Sequence, residues 1–380
     1  MSIVYSLVPE AQFDGSPLVA SILVIIGFLF GARLCHGVRR RRSVRERVLV
    51  LGMGHLAGQV IEEIERRPRL GYAVVGVVED AENLGRVIEA IRPDRIVVAL
   101  GDRRGRLPLY PLLESRARGV LVEDAVETYE RLTGKLALEA LRPSSVIFSP
   151  DFQMSRFQRA LARALSLLAS VIGLIVLAPF LGLIALLIKL DSRGPVLFIQ
   201  ERAGLSGRSF KLIKFRTMDS ASRPASEWER DNGFRITRVG KRLRRFRLDE
   251  LPQLVNVLRG DMNLVGPRPH PVSNLELMIL AIRNLSEVSG DAIPYYSLRC
   301  SVRPGITGWA QIRYGYANSL EEEMEKIRYD FYYLKHMSFW LDLRILLKTV
   351  RMVFTGHGLA DACRARTQER RLDAPVGRVA

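Results

Sequence analysis

Between Ala164 and Ile188 the chain carries no charged residue: ALSLLASVIGLIVLAPFLGLIALLI. Such a segment is long enough to cross a bilayer, which takes roughly 17–25 apolar residues. Its flanks argue against a simple crossing. Arg156, Arg159 and Arg163 precede it, and Lys189, Arg193, Arg202, Arg208 and Lys211 follow it. Basic residues mark the cytoplasmic side of membrane segments, and here both ends carry the mark. Pro179 lies mid-run, where it removes a helix donor and bends the chain. A helix that enters the bilayer, breaks at Pro179 and returns to the same side satisfies these observations, provided protein neighbours take up the freed carbonyl. A transmembrane helix is the alternative, because proline is common in those too.

A second apolar stretch, SPLVASILVIIGFLFGARLCHGV at 16–38, is followed by RRRRSVRER. Its uncharged core, 15–32, is at the short end for a membrane span, and the basic block predicts that its far end faces the cytoplasm. A cleaved signal peptide wants its basic residues ahead of the apolar run; here they come after. Residues 1–46 therefore read as a membrane anchor with a basic linker. A spanning second segment would then export everything beyond it, which again favours re-entry. The net charge of +17 predicts an anionic partner: nucleic acid, an anionic membrane surface or a phosphorylated substrate. The charge flanks apolar segments rather than a recognition module, so nucleic acid is disfavoured and the lipid bilayer is expected. Cys35, Cys300 and Cys363 lie far apart and the histidines are scattered, which argues against a disulfide framework or a zinc site.

From 47 to about 135 the pattern alternates. RVLVLGMG is an apolar run ending in glycines, HLAGQVIEEIERRP is helical, YAVVGVVED is a buried strand, AENLGRVIEAIRP is helical and RIVVALG is a third strand. Strands alternating with helices of this length predict a parallel sheet of Rossmann type over 47–150. The first turn holds Gly52, Gly54 and Gly58. The third glycine falls one place later than in G-x-G-x-x-G, where Ala57 stands. The turn is a candidate nucleotide site, and a module that binds no nucleotide is the equal alternative.

In LDELPQLVNVLRG, the residues Leu251, Leu254, Val255 and Leu258 recur at helical spacing, with Pro252 suited to a first turn and Gly260 to a stop. Asp249 and Glu250 are thereby placed at a helix start, where both residue types are also favoured for purely structural reasons. Six cations precede them closely: Arg238, Lys241, Arg242, Arg244, Arg245 and Arg247. A helix start flanked by guanidiniums suits phosphate, and a phosphate site holding two carboxylates calls for a cation. Mg²⁺ fits, since it takes one or two carboxylates plus phosphate oxygens. An aspartate is already ionised at neutral pH, so it can attack phosphorus without a base, while the neighbouring acid, about 100° away on a helix, holds metal. Further candidates for the electrostatics are Lys214 and Arg216, two apart on one face of a strand-like run; Asp261, Arg268 and His270 around a Gly-Pro turn; and Arg303 and Gln311 in VRPGITGWAQI. Each taken singly is more often a solvated face or a tight turn. Residues 335–354, KHMSFWLDLRILLKTVRMVF, suit either a helix in the plane of a membrane interface or a packed amphipathic helix.

KFRTMD, ITRVGKRLRRFRLDELPQLVNVLRGDMNLVGPRP, RPGITGWAQ and YDFYYLKHMSFWLDLRILLKTV occur in that order. Together they resemble the bacterial sugar transferases, the monotopic phosphoglycosyl transferases, over about 155–355. The anchor and sheet module look like those of the larger members used in exopolysaccharide or capsule assembly. The resemblance implies transfer of a sugar-1-phosphate from a UDP-sugar to undecaprenyl phosphate, with release of UMP. It implies Asp249 as nucleophile, Glu250 as Mg²⁺ ligand, Arg244 on phosphate, and a re-entrant helix at 164–188 broken at Pro179. It also implies the bacterial inner membrane, with the catalytic part on its cytoplasmic face. Two departures stand out: Arg247 occupies a place that is small and polar in that family, and the chain shows one N-terminal membrane segment where the larger members carry about four. The expected fold is thus α/β: an N-terminal membrane helix, a Rossmann-like parallel-sheet module at 47–150, a mainly helical monotopic catalytic domain at 151–360 and a disordered tail at 361–380. A homo-oligomer is a candidate assembly. Competing readings are a nucleotide-sugar oxidoreductase, for which 47–150 shows no evident catalytic set, and a non-catalytic membrane scaffold.

Overall fold

The computed structural model describes residues 45–79, 84–101, 107–138, 154–219, 234–274, 295–314 and 320–355, with the isolated positions 27, 148, 149 and 152. The expected N-terminal membrane segment at 16–38 and the tail from 361 lie outside the described residues, apart from Gly27. The chain forms two compact units, Met1–Ala125 and Val126–Ala380. The domain boundary expected near 150 falls within the second of these.

The first unit is a parallel sheet. Strand β1 (Glu46–Leu51) pairs with β2 (Tyr72–Val78) on one side and β3 (Arg95–Val98) on the other, and β4 (Leu121–Asp124) follows β3, giving the order β2-β1-β3-β4. Helices α1 (His55–Arg66), α2 (Leu84–Ile91) and α3 (Leu109–Ala117) connect successive strands. Val48–Leu51 are all buried, as a strand covered on both faces requires. Leu49, Leu51, Ile96 and Val98 pack with Leu84, Ile88 and Leu112 in one core. Arg95 pairs with Glu46 at 2.8 Å and with Glu123, so a buried cation bridges acids on the two flanking strands. At the glycine turn, Gly52 has a φ of 110°, and a Cβ there would lie 2.8 Å from the carbonyl oxygen of Ala99. Gly58 has no neighbour that would exclude a side chain. Packing therefore accounts for the first glycine and leaves the third unexplained.

In the second unit, helix α4 (Ala125–Thr133) leads into Gly134, whose carbonyl accepts from Trp309 Nε1 at 2.9 Å. Helix α5 runs from Arg156 to Asp191, 36 residues or about 54 Å at 1.5 Å per residue. It starts on a capping box: Ser155 Oγ accepts from the Gln158 amide at 3.1 Å, and Gln158 Oε1 accepts from the Ser155 amide at 3.3 Å. Pro179 lies inside this helix, not between two helices; a proline removes one ladder bond, and a helix can continue past it with a bend. Among the described residues α5 is the one helix long and apolar enough to cross a membrane, and only 11% of its most apolar window is buried. Its buried positions, Ser166, Ser170, Ile184 and Ile188, form a narrow contact stripe.

Strands β5 (Leu197–Ala203) and β6 (Ser209–Phe215) form an antiparallel hairpin. Helix α6 (Arg238–Arg245) and a 3₁₀ turn (Leu248–Glu250) lead to α7 (Gln253–Arg259) and β7 (Asn263–Val265). Strand β7 pairs in parallel with β8 (Gly305–Thr307). This contact needs glycine: a Cβ on Gly305 would lie 2.1 Å from the Gly266 amide nitrogen. Helices α8 (Tyr295–Arg299), α9 (Trp309–Arg313), α10 (Leu320–Lys335) and α11 (Phe339–Thr355) complete the unit. On α11, Leu341, Ile345 and Met352 are buried, while Trp340, Leu347, Val350 and Phe354 form a separate exposed stripe. The packed reading of this segment holds for one face, and a second apolar face stays open.

Candidate active site

The dyad sits in the 3₁₀ turn ahead of α7. Pro252 takes the N-cap position, with no side-chain cap, so neither acid spends its carboxylate on capping. This displaces the acids from the first helical turn anticipated from spacing. The cause is Arg247, which adopts a left-handed φ of 53° and forces a turn between α6 and the dyad. The backbone then closes through the Glu250 amide donating to the Arg247 carbonyl at 3.2 Å.

Asp249 and Glu250 are 6% and 5% exposed, so both charges must be balanced by protein. Glu250 Oε1 accepts from Arg268 Nη1 at 2.8 Å. Burial alone would raise its pKa, but Arg268, Arg247 and Lys214 outweigh burial and hold it below the usual range. Asp249 differs. Burial and the adjacent Glu250 push its pKa up to about 6, against the pull of Lys214, Arg244 and Arg268. Asp249 Oδ1 is buried without a hydrogen-bond partner. Lys214 is in turn pushed down to about 8 by burial and by Arg202. One carboxylate is thus paired with a protein guanidinium through one oxygen, and the other holds an open acceptor beside cations. Such a pair suits a divalent cation, because Mg²⁺ takes one or two carboxylates and fills its remaining positions with water and phosphate oxygens. Among the described residues no cluster of three or more His, Cys, Asp or Glu offers a closed metal site.

Three supports place these groups. Asn256, fully buried on α7, accepts from the Ile213 amide at 3.0 Å and donates to the Lys211 carbonyl at 2.8 Å and to Asp261 Oδ2 at 3.0 Å. It thereby fastens α7 to β6, the strand that carries Lys214. Arg244 Nε donates to Thr217 Oγ1 at 2.8 Å. Gly240 brings α6 so close that a Cβ there would lie 2.1 Å from the Thr217 carbonyl oxygen. Arg299 donates to the Arg268 carbonyl and, through Nε and Nη2, to Asp330 Oδ2 at 2.9 and 2.8 Å.

The structure gathers Asp249, Glu250, Lys214, Arg244 and Arg268, and separates three other candidates from them. Arg216 follows directly on β6, its amide still donating to the Val196 carbonyl at 2.9 Å, but its guanidinium is engaged away from the dyad. Arg216 donates instead to the carbonyls of Ser192 at 2.7 Å and Arg193 at 2.9 Å, at the end of α5. Arg303 Nε donates to the Gly260 carbonyl at 3.1 Å, beyond the far end of α7. Gln311 is buried and donates to the Ile306 carbonyl at 3.0 Å. Asp261 is held by Asn256, and His270 lies 3.6 Å from Glu323 with its pKa pushed down to about 3 by burial and Arg299. Spacing did not single out Thr217, Asn256 or Arg299. A signal existed for Asn256, a polar residue inside an apolar helical pattern.

Residues 157–356 match the family model described as bacterial sugar transferase. A UDP-N-acetylgalactosamine-undecaprenyl-phosphate N-acetylgalactosaminephosphotransferase from Aeromonas hydrophila is 40% identical over 60% of this chain and 51% of its own length. An undecaprenyl-phosphate glucose phosphotransferase from Komagataeibacter xylinus is 34% identical over 84% of this chain and 61% of its own. A UDP-glucose:undecaprenyl-phosphate glucose-1-phosphate transferase from Escherichia coli K12 is 34% identical over 84% of this chain and 70% of its own. The chain therefore spans between half and two thirds of the first two relatives. The match includes the dyad, its cations and all of α5 except its first residue, and on it the chain belongs to the bacterial sugar transferase family.

Proposed function

We propose that the chain transfers a sugar-1-phosphate from a UDP-sugar to undecaprenyl phosphate, as the first membrane step of exopolysaccharide or capsule assembly. The observation that carries this reading is the asymmetry of the dyad: Glu250 pairs with Arg268 through one oxygen, while Asp249 keeps a buried oxygen without a partner.

In this reading an Asp249 oxygen attacks the phosphorus that bears the sugar. The bond to the bridging oxygen of the diphosphate breaks, and UMP leaves with that oxygen's electron pair. The product is an aspartyl phosphosugar. A phosphate oxygen of the polyprenyl acceptor then attacks the same phosphorus, the Asp249–phosphorus bond breaks, and the carboxylate is regenerated. Lys214, Arg244 and Arg268 balance the negative charge of the transferring group. Glu250, with Asp249, would hold Mg²⁺, which supplies charge neutralisation on the diphosphate.

Helix α5 supports the membrane setting of this reading. At about 54 Å it exceeds the roughly 30 Å hydrocarbon core, both of its ends are basic, and Pro179 lies within it. A helix that enters from the cytoplasmic face of the bacterial inner membrane, bends at Pro179 and returns accommodates all three. The exposed stripe of α11 then lies in the same interface. A UMP-release assay of membrane-embedded protein against a panel of UDP-sugars, with and without Mg²⁺, tests the reading. Release should need Mg²⁺ and vanish in Asp249→Asn; no release from any sugar would sink it.

A further inference from the structure

The second unit contains a cavity of about 810 Å³ that borders neither the dyad nor Lys214, Arg244 or Arg268. It lies between the N-terminal half of α5, the β7–β8 region and α11. Arg303 reaches it from Gly260, at the end of α7 opposite the dyad. The volume falls within the range of small-molecule sites, roughly 300–1,000 Å³.

The lining is amphipathic. Arg159 and Arg303 contribute positive charge, while Leu165, Ala169, Leu343 and Leu346 are apolar. On α5 this is the level at which the chain passes from its last arginine, Arg163, to the uncharged run. The cavity therefore straddles the height at which a bilayer changes from headgroup to hydrocarbon. The charge there is also unbalanced. Among the described residues no carboxylate lies at ion-pair distance from Arg159, Arg163 or Arg303. Arg163 donates to the carbonyls of Met262 at 2.8 Å and Val257 at 2.7 Å and to Asn263 Oδ1 at 3.2 Å, and Arg303 to that of Gly260, so both are held on neutral acceptors. Asp342 also borders the cavity, with Oδ1 accepting from the Tyr333 hydroxyl at 2.8 Å.

We propose that this cavity holds one anionic phospholipid of the bilayer. Its headgroup phosphate sits on Arg159 and Arg303, and the start of an acyl chain lies along Leu165, Ala169, Leu343 and Leu346. The proposal rests on the membrane placement of α5 and not on the transfer reaction. The bound lipid would close the gap between α5 and α11 and neutralise a cluster of cations that the protein leaves uncompensated.

The test uses the full chain, delipidated in detergent, reloaded with phosphatidylglycerol or phosphatidylcholine and analysed for retained lipid by mass spectrometry. Phosphatidylglycerol should be retained with a stoichiometry near one, and phosphatidylcholine several-fold less. Arg159→Gln, at an exposed position, should weaken retention about fivefold. Ala169→Trp, which fills the apolar end, should lose the lipid while an unchanged melting temperature shows that the fold persists. Inorganic phosphate should not displace the lipid. Equal retention of the two lipids, or Ala169→Trp protein of normal melting temperature that still holds phosphatidylglycerol, would overturn the proposal. Stoichiometric displacement by a polyprenyl phosphate would also overturn it, by making the cavity the acceptor's seat. No arm reads sugar transfer, so failure of the proposed reaction leaves the lipid result interpretable.

Discussion

Replacing Asn256 with leucine keeps the side-chain size and removes three hydrogen bonds. The Ile213 amide is buried and would lose its acceptor; the Lys211 carbonyl and Asp261 lie nearer water and could regain partners there. A buried donor left unmade costs about 1–3 kcal/mol, and two partly hydrated losses add less. The expected destabilisation is ~2–4 kcal/mol, a fall of roughly 5–15 °C in melting temperature for a unit of this size. Asn256→Asp is the sharper probe. One oxygen can still accept from Ile213, but the other faces the Lys211 carbonyl and the Asp261 carboxylate. The new acid would be buried beside a like charge, so its folded pKa is raised. Its cost is therefore greatest above that folded pKa and is relieved as the pH falls through it, when the protonated oxygen can donate again. Chemical denaturation in detergent at pH 5 and pH 8 reads both effects. If Asn256→Leu unfolds within 0.5 kcal/mol of the parent, or if the cost of Asn256→Asp is the same at both pH values, the clamp between α7 and β6 does not contribute as described.

In the proposed reaction Asp249 attacks as the carboxylate and Lys214 assists as the cation, so kcat/KM should be bell-shaped, with an acid limb near 6 and an alkaline limb near 8. Lys214→Met should abolish the alkaline limb and shift the acid limb upward, and a preserved limb near 8 would remove Lys214 from this role. Asp342 has its folded pKa raised to about 6 by burial, so its ionisation destabilises the fold increasingly as pH rises between about 4 and 6. Asp342→Asn should then be more stable than the parent at pH 7.5, by up to ~3 kcal/mol, and nearly equal at pH 4; chemical denaturation at the two values checks this. Arg247→Asn should gain ~0.5–1 kcal/mol in the same assay, because asparagine tolerates the left-handed φ better than arginine. A loss of stability would mean that Arg247 contributes more through contacts than its backbone costs.

The parallel sheet was legible because its strands are apolar runs separated by helices of the right length, a pattern that survives without tertiary information. The dyad was legible because two acids behind a run of arginines are conspicuous in one dimension. Its environment was not. Lys214 acts on Asp249 from a distant strand, and the Asn256 clamp, with Leu212 packed on Val257, makes them neighbours. Arg216 was paired with Lys214 by two-residue alternation, but its guanidinium is taken up by the carbonyls at the end of α5, which no local pattern announces. Arg303 and Gln311 sit in a motif whose glycines answer to the β7–β8 contact, and their hydrogen bonds run to the Gly260 and Ile306 carbonyls rather than to the dyad.

The grip of Arg216 on the end of α5 has a mechanical consequence. Lys214, Arg216 and Thr217 lie within four consecutive positions: the first faces Asp249, the second holds the carbonyls of Ser192 and Arg193, and the third holds Arg244. Asp191, the last residue of α5, also accepts from the Val239 amide at the start of α6. About 3.3 Å of extended chain per residue separates these grips. No slack remains in which a displacement of the helix could be absorbed. In the proposed membrane placement, the depth at which α5 comes to rest therefore sets the elevation of the dyad above the lipid, as a float sets the level of a valve.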